Sequence, residues 1–224
     1  MRAEALAISA VVLLAASAAR AADDGTCRNG DFPTQQDRFG LAQVTGAGRL
    51  PFLDDTDGCP NETTACRARG YVVTGDVLLT GRIQGAYVCA FYPSRGGGSA
   101  GWVRRDRLAA QPADPSPPLS AWTGRWADGD NTIKLSAKAG ALVADGDAYW
   151  PSANPSLSER PGGPNIGQLG GSAKPADGRV VFKDGDGEYD CAATLNLVGR
   201  FLVVADNNNC GGANVSFTGV YVRR

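Results

Sequence analysis

Apolar and polar residues alternate in short runs through most of the chain, and glycine, aspartate or asparagine punctuates each run. In NTIKLSA, Ile133, Leu135 and Ala137 alternate with Lys134, Ser136 and Lys138, the period of two that half-buries a strand. Ala139-Gly140 turns this run into ALVADGDAYW, and RVVFK, YDCAATLNLV, RFLVVAD and NVSFTGVYVRR follow in the same style. Short strands with turns between neighbours predict an antiparallel meander. Its opening WTGRW, Trp122 to Trp126, and its closing Phe217, Gly219 and Tyr221 are placed to pair and close a barrel. Beyond the first 22 residues no long stretch carries helical periodicity, so both halves predict β structure.

In the first half the clearest pattern spans 70–108 and divides into strands at 71–73, 76–80, 86–92 and 102–104, joined by glycine-bearing turns. Gly75-Asp76, a β-branched strand, the Tyr87-Val88 pair, a glycine turn and the closing Gly101-Trp102-Val103 with Leu108 resemble a bacterial SH3-like domain. The resemblance implies a small β-barrel over about 58–108 and a partner at the cell wall. GCPNETTACRARG, 58–70, replaces the segment that usually precedes this run, so the family's ligand groove does not carry over. Tyr87, Phe91 and Trp102 are core candidates of such a barrel. The second half resembles small lipocalin- or avidin-type barrels through its Gly-x-Trp opening; this is a likeness of architecture, and no ligand follows from it.

AAQPADPSPPLSA, 109–121, holds Pro112, Pro115, Pro117 and Pro118, a density that favours extended, semi-rigid chain. Its PxxP spacing also suits a groove ligand, but a spacer is the simpler reading. The expected organisation is a signal peptide over 1–22, an SH3-like unit with an N-terminal extension over 23–110, a proline-rich linker over 111–120, and an antiparallel β-barrel or sandwich over 121–224. The fold class is all-β and disulfide-stapled.

The signal peptide rests on Arg2, the apolar run 5–16 and the small-x-small pattern Ala19-Arg20-Ala21. That run is too short to span a bilayer, and no later one approaches 18 apolar residues, so no membrane span is expected. Export to the periplasm or beyond makes disulfides the simplest reading of six cysteines. Cys191 and Cys210 flank one strand pair and are expected to bond. Cys27, Cys59, Cys66 and Cys89 allow three pairings; Cys66–Cys89 with Cys27–Cys59 is the preferred one.

Twenty-two basic against 23 acidic residues leave a net charge of −1, without the basic stripe of a nucleic-acid binder. Arg104, Arg105 and Arg107 read as a solvated strand edge. The chain has no histidine, which removes the commonest general base and metal ligand. KDGDGEYD, 183–190, begins like a calcium loop, but Tyr189 stands where the loop needs glycine and Leu195 where it needs glutamate. It reads instead as a polar hairpin, and DDTDG, 54–58, is treated alike. No metal or cofactor is expected.

Three segments remain as candidate chemistry. DNNNCGGANVSF, 206–217, reads as a stapled turn, since asparagine and glycine tolerate positive φ. Asp145, Asp147 and Glu188 are the carboxylates that a hydrolase of the paired-acid type would need. YWPSANPSLSERPGGPNIG, 149–167, is a long loop inside a β unit, and such loops are often functional. Tyr149 and Trp150 at its root and Glu159 and Arg160 within it are the candidate ligand-binding residues; otherwise the loop is a mobile insertion and Trp150 caps the core. The expected function is an exported, non-catalytic binding protein for peptidoglycan or another exported protein. An inhibitor of a wall-degrading, lysozyme-type hydrolase is one alternative, and a carboxylate-dependent hydrolase is the other.

Overall fold

Seven strands from the first half form one antiparallel sheet in a computed structural model that describes residues 26–224 except 37, 57, 95 and 96. The expected signal peptide lies outside the described residues. The strands are β1 (Gly40–Val44), β2 (Arg49–Leu53), β3 (Arg67–Val73), β4 (Val77–Gln84), β5 (Tyr87–Ser94), β6 (Gly97–Arg104) and β7 (Leu108–Gln111), ordered β3-β2-β6-β5-β4-β1-β7. Irregular register between Pro51 and Leu53 and between Thr80 and Ile83 interrupts the ladders of β2 and β4. One face buries Val44, Leu50, Phe52, Val72, Leu78, Val88, Ala90 and Val103 together.

After a single helical turn, α1 (Leu119–Trp122), the second half forms eight strands. These are β8 (Gly124–Asp128), β9 (Asn131–Lys138), β10 (Ala141–Trp150), β11 (Asn165–Ala173), β12 (Arg179–Lys183), β13 (Ala192–Val198), β14 (Phe201–Asp206) and β15 (Gly219–Arg223). Each pairs with its chain neighbour except at one seam, and the last strand returns to the first: Val222 lies opposite Ala127, and Arg223 opposite Trp126. The seam falls between β11 and β12, which lie side by side without a ladder. The sheet is thus nearly a closed barrel, and Trp122, Trp126, Ile133, Leu135, Phe182, Phe217 and Tyr221 fill its interior. The all-β, two-sheet expectation holds.

A third core joins the two sheets. Alternation along β5 sends Val88 and Ala90 into the first sheet's own core and turns Cys89 and Phe91 to the opposite face. There they meet Leu79, Trp102, Cys27 and Phe32, together with Val198, Phe201, Val203 and Val220 from the outer face of the barrel. The run RFLVVAD is apolar at consecutive positions because β14 is buried on both faces: Leu202 and Val204 point inward, Phe201 and Val203 outward. Burying a large apolar side chain contributes about 1.5–3 kcal/mol, so this shared core holds the halves together strongly. Tyr87, Phe91 and Trp102, expected in a barrel core, belong to this junction, with Tyr87 only partly buried. The proline-rich segment also rests on the barrel. A Cβ on Gly178 would come 3.3 Å from the Pro115 carbonyl oxygen.

All six cysteines are paired, Cys27–Cys89, Cys59–Cys66 and Cys191–Cys210, with Cα separations of 5.9, 5.6 and 4.4 Å. The preferred pairing of the first four is therefore overturned, and the strand order explains why. Cys66 adjoins β3, which β2 and β6 separate from β5. Three inter-strand steps span roughly 14 Å, beyond the reach of a disulfide. The segment before β1 instead crosses the outer face of β5, where Cys27 meets Cys89. Asp55 anchors that crossing: its carboxylate accepts from the Cys27 amide at 2.6 Å and lies 3.5 Å from the Arg28 guanidinium.

Three disulfides fit an oxidising, exported environment. Among the described residues no helix is long and apolar enough to cross a membrane.

Candidate functional site

In an up-and-down barrel every second connection falls at the same end. The connections after β9 and β13 are the short turns at Ala139-Gly140 and Gly199-Arg200. Those after β10, β12 and β14 are long, 151–164, 184–191 and 207–218, and gather at the opposite end. The barrel carries its irregular chain, and most of its exposed large side chains, there.

The loop 207–218 is built around one buried carboxylate. Asp206, 5% exposed, accepts from the Phe217 amide at 2.8 Å, the Ser216 hydroxyl at 2.8 Å, the Thr218 hydroxyl at 2.9 Å and the Asn208 amide at 3.3 Å. Asn208 and Asn214 adopt positive φ, as expected of a tight turn. The other two asparagines tie this loop to its neighbour. Asn207 donates to the Asp190 carbonyl at 2.8 Å and accepts from the Ala192 amide at 3.1 Å, and Asn209 donates to the Glu188 carbonyl at 3.3 Å. Cys191–Cys210 closes the same junction covalently. On the other side the Gln168 amide donates to the Cys210 carbonyl at 3.0 Å, and the Asn165 side chain donates to the Ala213 carbonyl at 2.6 Å. The stretch is a staple between two loops and β11.

Loop 184–191 closes on itself, the Gly187 amide donating to the Asp190 carboxylate at 2.7 Å. This leaves Tyr189 81% exposed. Tyr189 borders a hollow of about 450 Å³ shared with Ile166, Gln168, Asp184, Asp190 and Asn209, floored by the disulfide. An aromatic ring beside carboxylate and amide groups offers a stacking surface with both donors and acceptors.

The candidates Tyr149, Trp150, Glu159 and Arg160 divide. Trp150, 36% exposed, carries the Arg160 guanidinium 5.4 Å from its ring centroid, a cation–π contact. Arg160 also donates to the Asn165 side chain at 2.5 Å, which ties the loop to the start of β11. Glu159 turns away: its carboxylate accepts from the Ser156 amide and hydroxyl, which hold it below the usual carboxylate range. Tyr149 lines a separate hollow with Asp130, Asn131 and Arg224. The loop is fixed at its start as well, the Ala153 amide donating to the Asp130 carboxylate at 3.0 Å.

Sequence reasoning missed Tyr189 and Ile166 as site residues. The signal available for Tyr189 was an aromatic inside an acidic, glycine-rich turn, where no core requires one.

Of the hydrolase carboxylates, two share a strand and the third lies on a loop. Asp145 and Asp147 stand on β10 opposite Lys134 and Thr132, while Glu188 belongs to the loop after β12. The arginine group is engaged within the first half. Arg104 pairs with Glu62 and Asp106, Arg105 donates to the Gly85 carbonyl, and Arg107 donates to the carbonyls of Thr45 and Ala47.

No protein-family model, curated protein or solved structure matches this chain.

Proposed function

We propose that this chain is an exported, non-catalytic binding protein that holds a cell-wall glycan at the loop end of its second barrel. One observation carries the reading: an exposed tyrosine stands over a hollow of planar polar side chains whose loops are already fixed by a disulfide and asparagine bridges. A sugar ring stacks on Tyr189, and its hydroxyls exchange hydrogen bonds with Asp184, Gln168 and Asn209. Preorganised loops lose little entropy on binding, which favours affinity from a small contact area. The resemblance of 58–108 to bacterial SH3-like domains supports the wall as the setting, and the disulfides support an exported one. The proposed recognition surface nevertheless lies on the barrel.

Titration of the oxidised protein with soluble peptidoglycan fragments tests this. Saturable shifts of the Gln168 and Asn209 side-chain amides, lost in Tyr189→Ala, are expected. Unshifted amides at millimolar fragment overturn it.

The same rigid, protruding loops favour a second reading, an inhibitor of a wall-degrading hydrolase that inserts them into the enzyme's cleft. It predicts near-stoichiometric, saturable loss of lysozyme-type activity without binding to the glycan itself.

A further inference from the structure

Strand β3 stands at the edge of the first sheet, paired with β2 on one side and, among the described residues, with no strand on the other. It offers seven residues, Arg67–Val73, as one open border. The opposite border, β7, has four residues and runs into the prolines, and the barrel's two borders face each other across the seam. Short length and proline blunt an edge against pairing, and β3 has neither.

The register shows which backbone groups are open. Directly opposed residues of an antiparallel pair exchange both hydrogen bonds or neither. Tyr71 lies opposite Pro51, which has no N–H to give, so this pair exchanges none and the Tyr71 N–H and C=O point outward. Val73 points the same way two residues on, and its amide donates to the Asp76 carboxylate at 2.8 Å instead of to β2. Arg69, two residues before Tyr71, completes the row. Among the described residues no group bonds the Arg69 or Tyr71 backbone on that side.

The side chains along this border carry one sign. Alternation sets Arg67, Arg69, Tyr71 and Val73 on one exposed face, and Arg49 of β2 holds its guanidinium 4.2 Å from the Tyr71 ring centroid. Arg49, Arg67 and Arg69 form no ion pair among the described residues. Glu62 and Asp106, the carboxylates of the hollow beside Arg67, are both taken by Arg104.

We propose that β3 accepts a strand from an acidic, extended segment of a protein partner, whose backbone pairs with Arg69 and Tyr71 and whose carboxylates meet Arg67 and Arg69. Charge alone would suit any polyanion, but a phosphate chain cannot fill a row of alternating amide donors and carbonyl acceptors. A second copy of this chain would bring together two sets of these three arginines without a carboxylate, and like charges oppose pairing. The surface belongs to the first sheet and the glycan hollow to the barrel, so the two readings stand or fall separately.

The probe is the peptide acetyl-VTVTETE-amide. Run antiparallel to β3, it sets its valines opposite Val73 and Tyr71 and its glutamates opposite Arg69 and Arg67. Titrated into the oxidised protein at moderate salt, it is expected to shift the Arg69 and Tyr71 amide resonances saturably and to slow exchange of both amide protons. The lysine counterpart VTVTKTK, a form N-methylated at the second valine and first glutamate, and tripolyphosphate are expected to leave that exchange unchanged. Arg67→Glu/Arg69→Glu is expected to bind the glutamate peptide more than about tenfold more weakly and to take up the lysine peptide, with the remaining resonances in place. Equal binding of the N-methylated peptide, or the same protection from tripolyphosphate, would reduce the face to a patch for polyanions and overturn the proposal. Self-association through β3 in sedimentation, or unshifted amides at millimolar peptide, would overturn it as well.

Discussion

Phe201, on the outer face of the barrel, meets Phe91 of the first sheet edge-on, with ring centroids 6.4 Å apart and planes at 87°. The pair marks the centre of the core that both halves share. Nearby, the turn at Gly199 is pressed so closely onto β1 that a Cβ there would lie 2.7 Å from Leu41. The halves are therefore expected to unfold together, despite the proline-rich segment between them. Phe201→Ala should cost about 3–5 kcal/mol, read from chemical denaturation, and wild type should unfold in a single transition at matching midpoints by fluorescence and circular dichroism. Two separated transitions would contradict this.

The disulfides should differ in weight. Cys27–Cys89 closes a separation of 62 residues and Cys59–Cys66 one of 7. On the chain-entropy account the long bridge contributes about 4 kcal/mol and the short one about 2.5 kcal/mol. Replacing both members of each bridge by alanine should therefore lower stability more for the first pair. Peptide mapping without reduction should recover Cys27 linked to Cys89.

Asp128 should make stability fall with rising pH. Its native-state pKa of about 6 exceeds the ordinary 3.8, so the folded protein binds the proton more tightly than the unfolded chain. That contribution is complete below the ordinary value and is lost as pH rises to about 6. Asp128→Asn removes the dependence. The variant should be more stable than wild type at pH 7.5, by at most about 3 kcal/mol, and the gap should close by pH 4. A pH-independent difference would count against a carboxyl raised by desolvation.

Replacing Asp206 should destabilise the protein. The Asp206 carboxylate organises the loop after β14, and Asp206→Ala leaves the buried Phe217 amide without an acceptor. A loss of about 2–3 kcal/mol is expected, with faster amide exchange through 207–218.

Much of this architecture is legible in the amino-acid order. Lys134 and Ser136 alternating with Ile133 and Leu135 mark a strand with one wet face, and Cys191 and Cys210 flank the strands they staple. The junction is harder to read. RFLVVAD announces burial on both faces, but nothing local says that β5 covers the outer one. RLPFL hides strand β2 for a related reason: Leu50 and Phe52 face one core and Leu53 another, so both faces carry apolar residues. The Cys27–Cys89 bond depends on the order β3-β2-β6-β5, a non-local property. At the candidate site Trp150 and Arg160 stand out within a long loop, whereas the exposure of Tyr189 depends on Asp190 folding back onto Gly187.

The most direct measurement is co-sedimentation of the oxidised chain, from residue 23 onward, with purified bacterial sacculi, beside a Trp150→Ala/Tyr189→Ala double variant of unchanged thermal stability. The account predicts that wild type pellets at moderate salt and that the double variant stays in the supernatant. A folded wild type that remains soluble, or a double variant that pellets equally well, would contradict wall recognition at the loop end of the barrel.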